Sequence, residues 1–353
     1  MFSKRQCCLA WNQPTNLTEQ ALEPQLVATA HSAQTQRSLK HFNIGNERMP
    51  KEVYHAYGYV KNLASQQTNE RNHVMSVLQL SGGEPADFSQ GEVYFIGNAT
   101  TLIRFGGITI LTDPAFLHKG QHVDLGHGIW AQREVEPACQ VADLPPVDLI
   151  VLSHYHGDHF DPVAARDLDK NLPIISTGDA VDKLRPLGFV NGYSLHTWDS
   201  HQVEKGEARL KITAMPGLHA SDDATAALLM PVNGHLLDFS QGDQQLYRLY
   251  ISGDTMLHDR LKDIPRFYPG IDLGLIHTGG TTMLVTVITM TGEQGVRAVE
   301  ITRPRTAIPI HYNDFSVFMS GLDDFKKAAE ASSADTEFRY LAHGETYTFT
   351  TKG

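Results

Sequence analysis

The sequence predicts an α/β fold made of two mixed β-sheets with helices on their outer sides. Three observations lead there. Apolar runs between Gly91 and Leu111 are joined by a hairpin signal. From residue 147 onward, short apolar runs alternate with helical patterns. His and Asp gather just after the ends of those runs, and strand ends are where loops collect into sites in layered α/β folds.

The elements follow in order. Residues 1–88 are rich in Gln, Asn, Ser and Thr and weakly periodic. They read as an N-terminal extension, with helix expected over 17–30 and 51–80 and no motif that assigns a role. Residues 89–353 form the body. Val93-Tyr94-Phe95-Ile96 is strand-like. Residues 101–105 and 108–111 flank Gly106-Gly107, a pair that supplies the positive φ of a tight hairpin turn. Residues 147–152 read as a buried strand that feeds a polar loop. Asp161 then caps a helix beginning at Pro162. Further strands are expected at 173–176, 210–215, 226–231, 249–252, 273–277 and 307–310. Helices are expected at 180–187, 258–267, 291–301 and 322–331.

Composition removes several function classes. An apolar fraction of 41% and a charged fraction of 20% are ordinary for a globular chain and exclude collagen-like, coiled-coil and wholly disordered readings. No apolar run reaches the ~18 residues that a membrane-spanning helix needs. There are 29 Lys and Arg against 40 Asp and Glu, a net charge of −11, which disfavours nucleic acid as a partner and leaves a small molecule. A homo-oligomer stays open. Three cysteines, two of them adjacent, define no disulfide framework. The first residues lack the apolar core of a secretory signal, so a cytoplasmic protein is the expectation; Cys7 and Cys8 beside Lys4 and Arg5 leave acylation as an alternative.

Chemistry concentrates in Ser153-His154-Tyr155-His156-Gly157-Asp158-His159. Imidazole is a preferred neutral ligand for zinc, and carboxylate is a harder oxygen ligand. His154 and His156 alternate along the chain and can project to one side. Asp158 and His159, past the turn at Gly157, can reach a second position. His219, Asp254 and His311 each follow a predicted strand. Singly each is an ordinary cap or turn residue; together the seven make a ligand set for two metals.

The sequence resembles the metallo-β-lactamase-fold metallo-hydrolases, and among them the branch of L-ascorbate-6-phosphate lactonase and N-acyl-phosphatidylethanolamine phospholipase D. The resemblance spans about residues 90–347. It rests on Gly97-Asn98-Ala99-Thr100-Thr101, Leu111-Thr112-Asp113-Pro114, the His154–His159 motif, His219, Ser252-Gly253-Asp254-Thr255 and Pro309-Ile310-His311-Tyr312. It implies a four-layer αββα sandwich of two mixed sheets flanked by helices. It implies that His154, His156 and His219 hold one metal, that Asp158, His159 and His311 hold a second, and that Asp254 bridges them. The implied cofactor is a pair of divalent ions, zinc first, with manganese, iron or nickel as alternatives. The oxygen-reducing diiron branch usually has Glu where His156 stands, so the match favours hydrolysis.

Water bridging two such ions ionises near neutral pH, and the hydroxide attacks a carbonyl carbon or phosphorus of a small ester, lactone or phosphoester. Asp158 is then a catalytic acid–base candidate. A phosphodiesterase or phospholipase D-like lipid hydrolase is the nearest alternative. A metal-binding scaffold without turnover and a mononuclear iron oxygenase are more distant ones.

Asp113 either accepts the outer N–H of a ligand His and fixes its tautomer, or makes an Asx turn before Pro114. His277 either donates to a substrate oxyanion or phosphate, or is a buried hydrogen-bonded His. Residues 116–133 read as a long loop carrying His118, Lys119, His122, His127, Trp130 and Arg133. Either this loop overhangs the metals, with Lys119 or Arg133 meeting an anionic group and Trp130 lining the site, or it is a solvated connection.

Overall fold

The fold is that of a computed structural model in which residues 77–82, 86–126, 128–226, 228–283 and 286–351 are described. Helix expected over 17–30 and most of 51–80 lies outside them, as do Cys7, Cys8 and His127. The described residues belong to the unit Val74–Gly353.

Two mixed sheets stack face to face. The smaller runs, edge to edge, Thr346–Thr350, Gln90–Gly97, Thr100–Phe105, Ile108–Thr112, Leu149–Val151, Ile174–Ser176 and Gly192–Ser194. Its first strands pair antiparallel through hairpins and its last four pair parallel. The larger runs Leu78–Gln79, Ser200–Lys205, Ala208–Met215, Gly234–Gln241, Gln244–Ile251, Leu273–His277, Thr306–Ile310 and Glu337–Phe338. Its last four strands are also parallel. Parallel neighbours need crossover connections, and helices supply them. Pro162–Asp167 and Gly178–Leu184 cover the smaller sheet; Asp263–Phe267, Gly292–Thr302 and Leu322–Ala331 cover the larger.

The period of two along each strand divides the core into three layers. Ile108, Ile110, Leu149, Val151 and Ile175 of the smaller sheet meet Ile212, Leu237, Leu249, Leu275 and Ile308 of the larger between the sheets. The alternate residues Leu111, Ile150 and Ile174 face Ala164, Ala180 and Leu184 on one outer side. On the other, Tyr250, Ile276 and Ala307 face Ile264, Val299 and Phe325. This is the αββα sandwich.

Local chemistry sets the boundaries. Gly106 and Gly107 have φ of 59° and 78°, as the hairpin turn requires. Asp161 accepts the N–H of Ala164 at 2.8 Å and caps the helix that opens on Pro162. Thr291 and Gln294 form a capping box at the start of Gly292–Thr302.

Several elements depart from expectation. Residues 226–231 are not a strand: Asp223–Ala226 is a short helix, Thr225 N–H donates to Asp222 Oδ1 at 2.9 Å, and a turn follows. The apolar run there lacks a sheet partner and leaves Leu228 exposed. Leu78–Gln79, within a stretch expected to be helical, pairs with Val203 and Glu204 because Leu78 and Leu80 pack on the inter-sheet core. Gly234–Gln241 escapes sequence reading because His235 and Asp238 interrupt its apolar pattern; Asp238 is neutralised by Arg248 of the next strand at 2.6 Å. Among the described residues no helix is long and apolar enough to cross a membrane.

Ile110 is wholly buried between the sheets, whereas Arg104 on the adjoining strand is exposed. Ile110→Ala is expected to lower the free energy of unfolding in urea by about 2–5 kcal/mol. Arg104→Ala should change it by no more than about 0.5 kcal/mol.

Candidate metal centre

The ends of the core strands from both sheets open onto one polar cluster. Leu149–Val151 runs into the loop that holds His154, His156, Asp158 and His159. The N–H groups of His159 and Phe160 both donate to His156 O, at 3.0 and 2.9 Å, which folds the loop into a turn. A Cβ on Gly157 would collide with Val123 and the carbonyl of Asp124, so only glycine lets the neighbouring hairpin sit on this turn. From the larger sheet, His219 follows Ala208–Met215, Asp254 follows Gln244–Ile251 and His311 follows Thr306–Ile310. All seven side chains are buried.

Their donor atoms fall into two groups. In one, His156 Nδ1 lies 2.8 Å from His154 Nε2 and 3.1 Å from His219 Nε2. In the other, His311 Nε2 lies 3.1 Å from His159 Nε2 and 3.2 Å from Asp158 Oδ2. Asp254 Oδ2 is 3.2 Å from His159 Nε2 and 3.6 Å from His311 Nε2, and Asp254 also groups with His154 and His159. The structure therefore brings together every residue of the expected set.

The outer ring nitrogens fix which atom faces inward. His219 Nδ1 is 3.0 Å from the Ile288 carbonyl and His311 Nδ1 is 3.0 Å from the Thr278 carbonyl. A carbonyl only accepts, so each Nδ1 bears a proton and Nε2 is the atom each ring turns inward. Ser153 does the same for two rings at once. Its hydroxyl donates to Asp113 Oδ1 at 3.0 Å, and its oxygen lies 2.9 Å from His154 Nδ1 and 3.3 Å from His159 Nδ1.

This donor set fits divalent cations. Facing lone pairs in a dry cluster repel unless a Lewis acid lies between them. Asp254 Oδ1 is buried without a hydrogen-bond partner. The ion-pair partners of Asp113, Asp158 and Asp254 among the described residues are all histidines. Burial, reinforced by neighbouring imidazoles, holds His154 well below the ordinary histidine range and brings His156 down to about 3. Burial likewise lowers His219. Burial opposes charge on His159 and His311 too, but Asp254 and Asp158 outweigh it and raise both. Asp158 comes down to about 2, against the pull of burial, chiefly through His159 and His311. Protons on His159 and His311 thus supply positive charge that cations bound to the same atoms would replace.

Asp113, His277 and the 116–133 segment resolve differently. Asp113 is buried and accepts Ser153 N–H at 2.7 Å, so it orients the ligand rings through Ser153. His277 does not meet the expectation of a substrate contact. It is 1% exposed and turns Nε2 toward Asp113 Oδ2, 3.5 Å away. Residues 116–133 are not an irregular loop, because His122–Asp124 and Trp130–Gln132 pair as a hairpin. Lys119 is exposed, its N–H donating to Glu136 at 2.9 Å, and Trp130 is 62% exposed. Arg133 is not available to an anionic substrate. Its buried guanidinium pairs with Asp314 at 2.9 Å and lies over the Phe315 ring.

Two contributors were not singled out from sequence. Ser153 stands in the His-rich motif, but nothing local shows that its hydroxyl faces two rings. Asn98 donates from Nδ2 to Asp158 O at 2.7 Å and accepts His311 N–H at 2.8 Å, joining ligand segments from both sheets. Its signal was the Gly97-Asn98 pair at a strand end, where a φ of 53° suits Asn.

Four layers with this donor cluster at the strand ends define the metallo-β-lactamase fold. Residues 109–312 match the beta-lactamase superfamily domain, and the chain belongs to that family. A UPF0173 metal-dependent hydrolase of Aeropyrum pernix is 27% identical over 271 residues, covering 72% of this chain and 96% of the relative. One from Pelotomaculum thermopropionicum is 30% identical over 203 residues, covering 56% and 81%. Among solved structures, a possible metal-dependent hydrolase from Veillonella parvula superposes with a TM-score of 0.62 at 21% identity, covering 74% of this chain and all 100% of that one. An isothiocyanate hydrolase from Delia radicum gut bacteria gives 0.61 at 24% identity, covering 73% and 99%. The protein is a metal-dependent hydrolase of this superfamily.

Burial makes the role of Arg133 testable. Arg133→Met takes the guanidinium from buried Asp314, which keeps only His343 Nε2 at 3.2 Å, and is expected to cost about 1–3 kcal/mol in thermal unfolding. An unchanged melting temperature with a raised KM would restore the substrate-binding role.

Proposed function

We propose that the protein is a dinuclear hydrolase that cleaves a small ester, lactone or phosphoester. The observation that carries this reading is the division of seven buried donors into two adjoining groups with Asp254 beside both. His154, His156 and His219 would hold one divalent cation and Asp158, His159 and His311 the other, with Asp254 placed to serve both groups. Such a pair supplies water acidic enough to ionise near neutral pH and a Lewis acid for the substrate oxygen.

The chain supplies the rest. Asp158 is ionised at neutral pH, so it starts the reaction as a proton acceptor and can pass that proton to the leaving group. The carbonyls of Ile288 and Thr278 and the hydroxyl of Ser153 hold four ligand rings in the productive tautomer. The 122–132 hairpin, seated on Gly157, limits water on that side, and exposed Trp130 on it and Lys119 just before it are free to meet substrate. A phosphodiester and a carboxylic ester place the same demands on this site, so both stay within the proposal.

Elemental analysis of the purified protein is expected to give two equivalents of divalent metal per chain. The loaded protein is then assayed on lactones, a generic phosphodiester and an isothiocyanate, the last because one structural neighbour hydrolyses that class. Asp158→Ala and His156→Ala should each lower kcat by about 10²–10⁴-fold or more while circular dichroism stays unchanged. Full activity in either variant, or a single coloured iron per chain, would overturn the reading.

A further inference from the structure

We propose that His277 is a positioning residue of the metal centre, acting through Asp113 on the rings of His159 and His154. The role rests on the dinuclear reading above.

His277 ends Leu273–His277 in the larger sheet, while Asp113 follows Ile108–Thr112 in the smaller one. Nε2 of His277 lies 3.5 Å from Asp113 Oδ2, and its ring stacks on His159 at 5.9 Å with an interplanar angle of 11°. The carboxylate of Asp113 only accepts, so Nε2 carries the proton. Ser252 Oγ receives the His277 backbone N–H at 2.9 Å, donates to the Gly253 carbonyl at 3.0 Å and sits 3.3 Å from Nδ1. A path of polar contacts therefore runs from Ser252 to His277, across the 3.5 Å ion-pair contact to Asp113, and on to Ser153, whose oxygen faces both His154 and His159.

The path spans the two sheets, and so does the ligand set. His154 and His159 come from the smaller sheet, and Asp254, two residues past Ser252, comes from the larger. Asp113 holds a left-handed φ of 34°, a conformation a non-glycine side chain keeps only when its partners fix it. Its oxygens are held by Ser153 on one side and His277 on the other. Without a donor at the Nε2 position, Asp113 keeps only the smaller-sheet side of that grip, and the spacing between the ligand groups loosens.

The full chain is compared as wild type, His277→Phe and His277→Gln. Phe keeps the stacked ring and removes the donor; Gln places an amide N–H near Nε2. His277→Phe is expected to release metal to a chelator about 10–100-fold more readily, with a shifted cobalt(II) absorption spectrum. Its kcat should fall by a similar factor with KM within about twofold. His277→Gln should recover the cobalt spectrum and most of the retention. If the Phe variant does not accumulate folded, His277→Asn, with a donor at Nδ1 and none at Nε2, replaces it in the same comparison. Wild-type retention and spectrum in the donor-less variant overturn the role. A third metal equivalent lost from both Phe and Gln variants also overturns it, because His277 would then be a ligand. Wild-type protein that holds no metal overturns the dinuclear reading itself, and the wild-type control distinguishes that failure from the others.

Discussion

Three carboxylates buried among imidazoles, with no lysine or arginine of the described residues paired to them, set the constraint that shapes this molecule. Isolated buried charge is expensive, so it persists only when it is paired or bound to metal. Asp113, Asp158 and Asp254 meet that condition through histidines: His159 and His277 beside Asp113, and His159 and His311 beside Asp158 and Asp254. The histidines divide accordingly: burial lowers His154, His156 and His219 below the ordinary histidine range, while Asp254 and Asp158 raise His159 and His311 above it.

Backbone strain gathers at the same place. Asn98, Asp113 and His311 all have positive φ without being glycine. Each such residue costs of order 1–3 kcal/mol unless its surroundings over-determine it. Here they do. Asn98 is hydrogen-bonded to the segments of Asp158 and His311, Asp113 to Ser153, and His311 to Asn98 and Thr278. The inter-sheet core beneath these residues provides the rigid base on which that strain is held.

The hairpin beside the site shows how packing overrides side-chain chemistry read in isolation. Arg133 looks from sequence like a substrate contact because it is a cation on a segment near the metals. In the fold it anchors the hairpin's far end to Asp314 and Phe315, while Gly157 receives the near end. Arg133, one residue past the strand Trp130–Gln132, turns inward to Asp314, a partner far along the chain that its charge alone does not reveal.

Much was legible in the sequence because it is local. The Gly106-Gly107 turn, the Asp161 and Thr291 caps and the alternating runs around Ile110, Ile150 and Leu275 are fixed by neighbours a few residues away. The ligand types were legible too, since a His-rich turn after an apolar strand has few other uses. What the chain alone could not reveal is long-range. Gly234–Gln241 forms a strand because Arg248 neutralises Asp238. His277 turns to Asp113 rather than to substrate because the two sheets stack in one register. Leu78–Gln79 is extended because an open sheet edge receives it. The sequence by itself determined the residue types and the local turns that aim them. Only the tertiary structure decided that His219 and His311 turn Nε2 inward, because the carbonyls of Ile288 and Thr278 that hold their outer sides come from other parts of the chain.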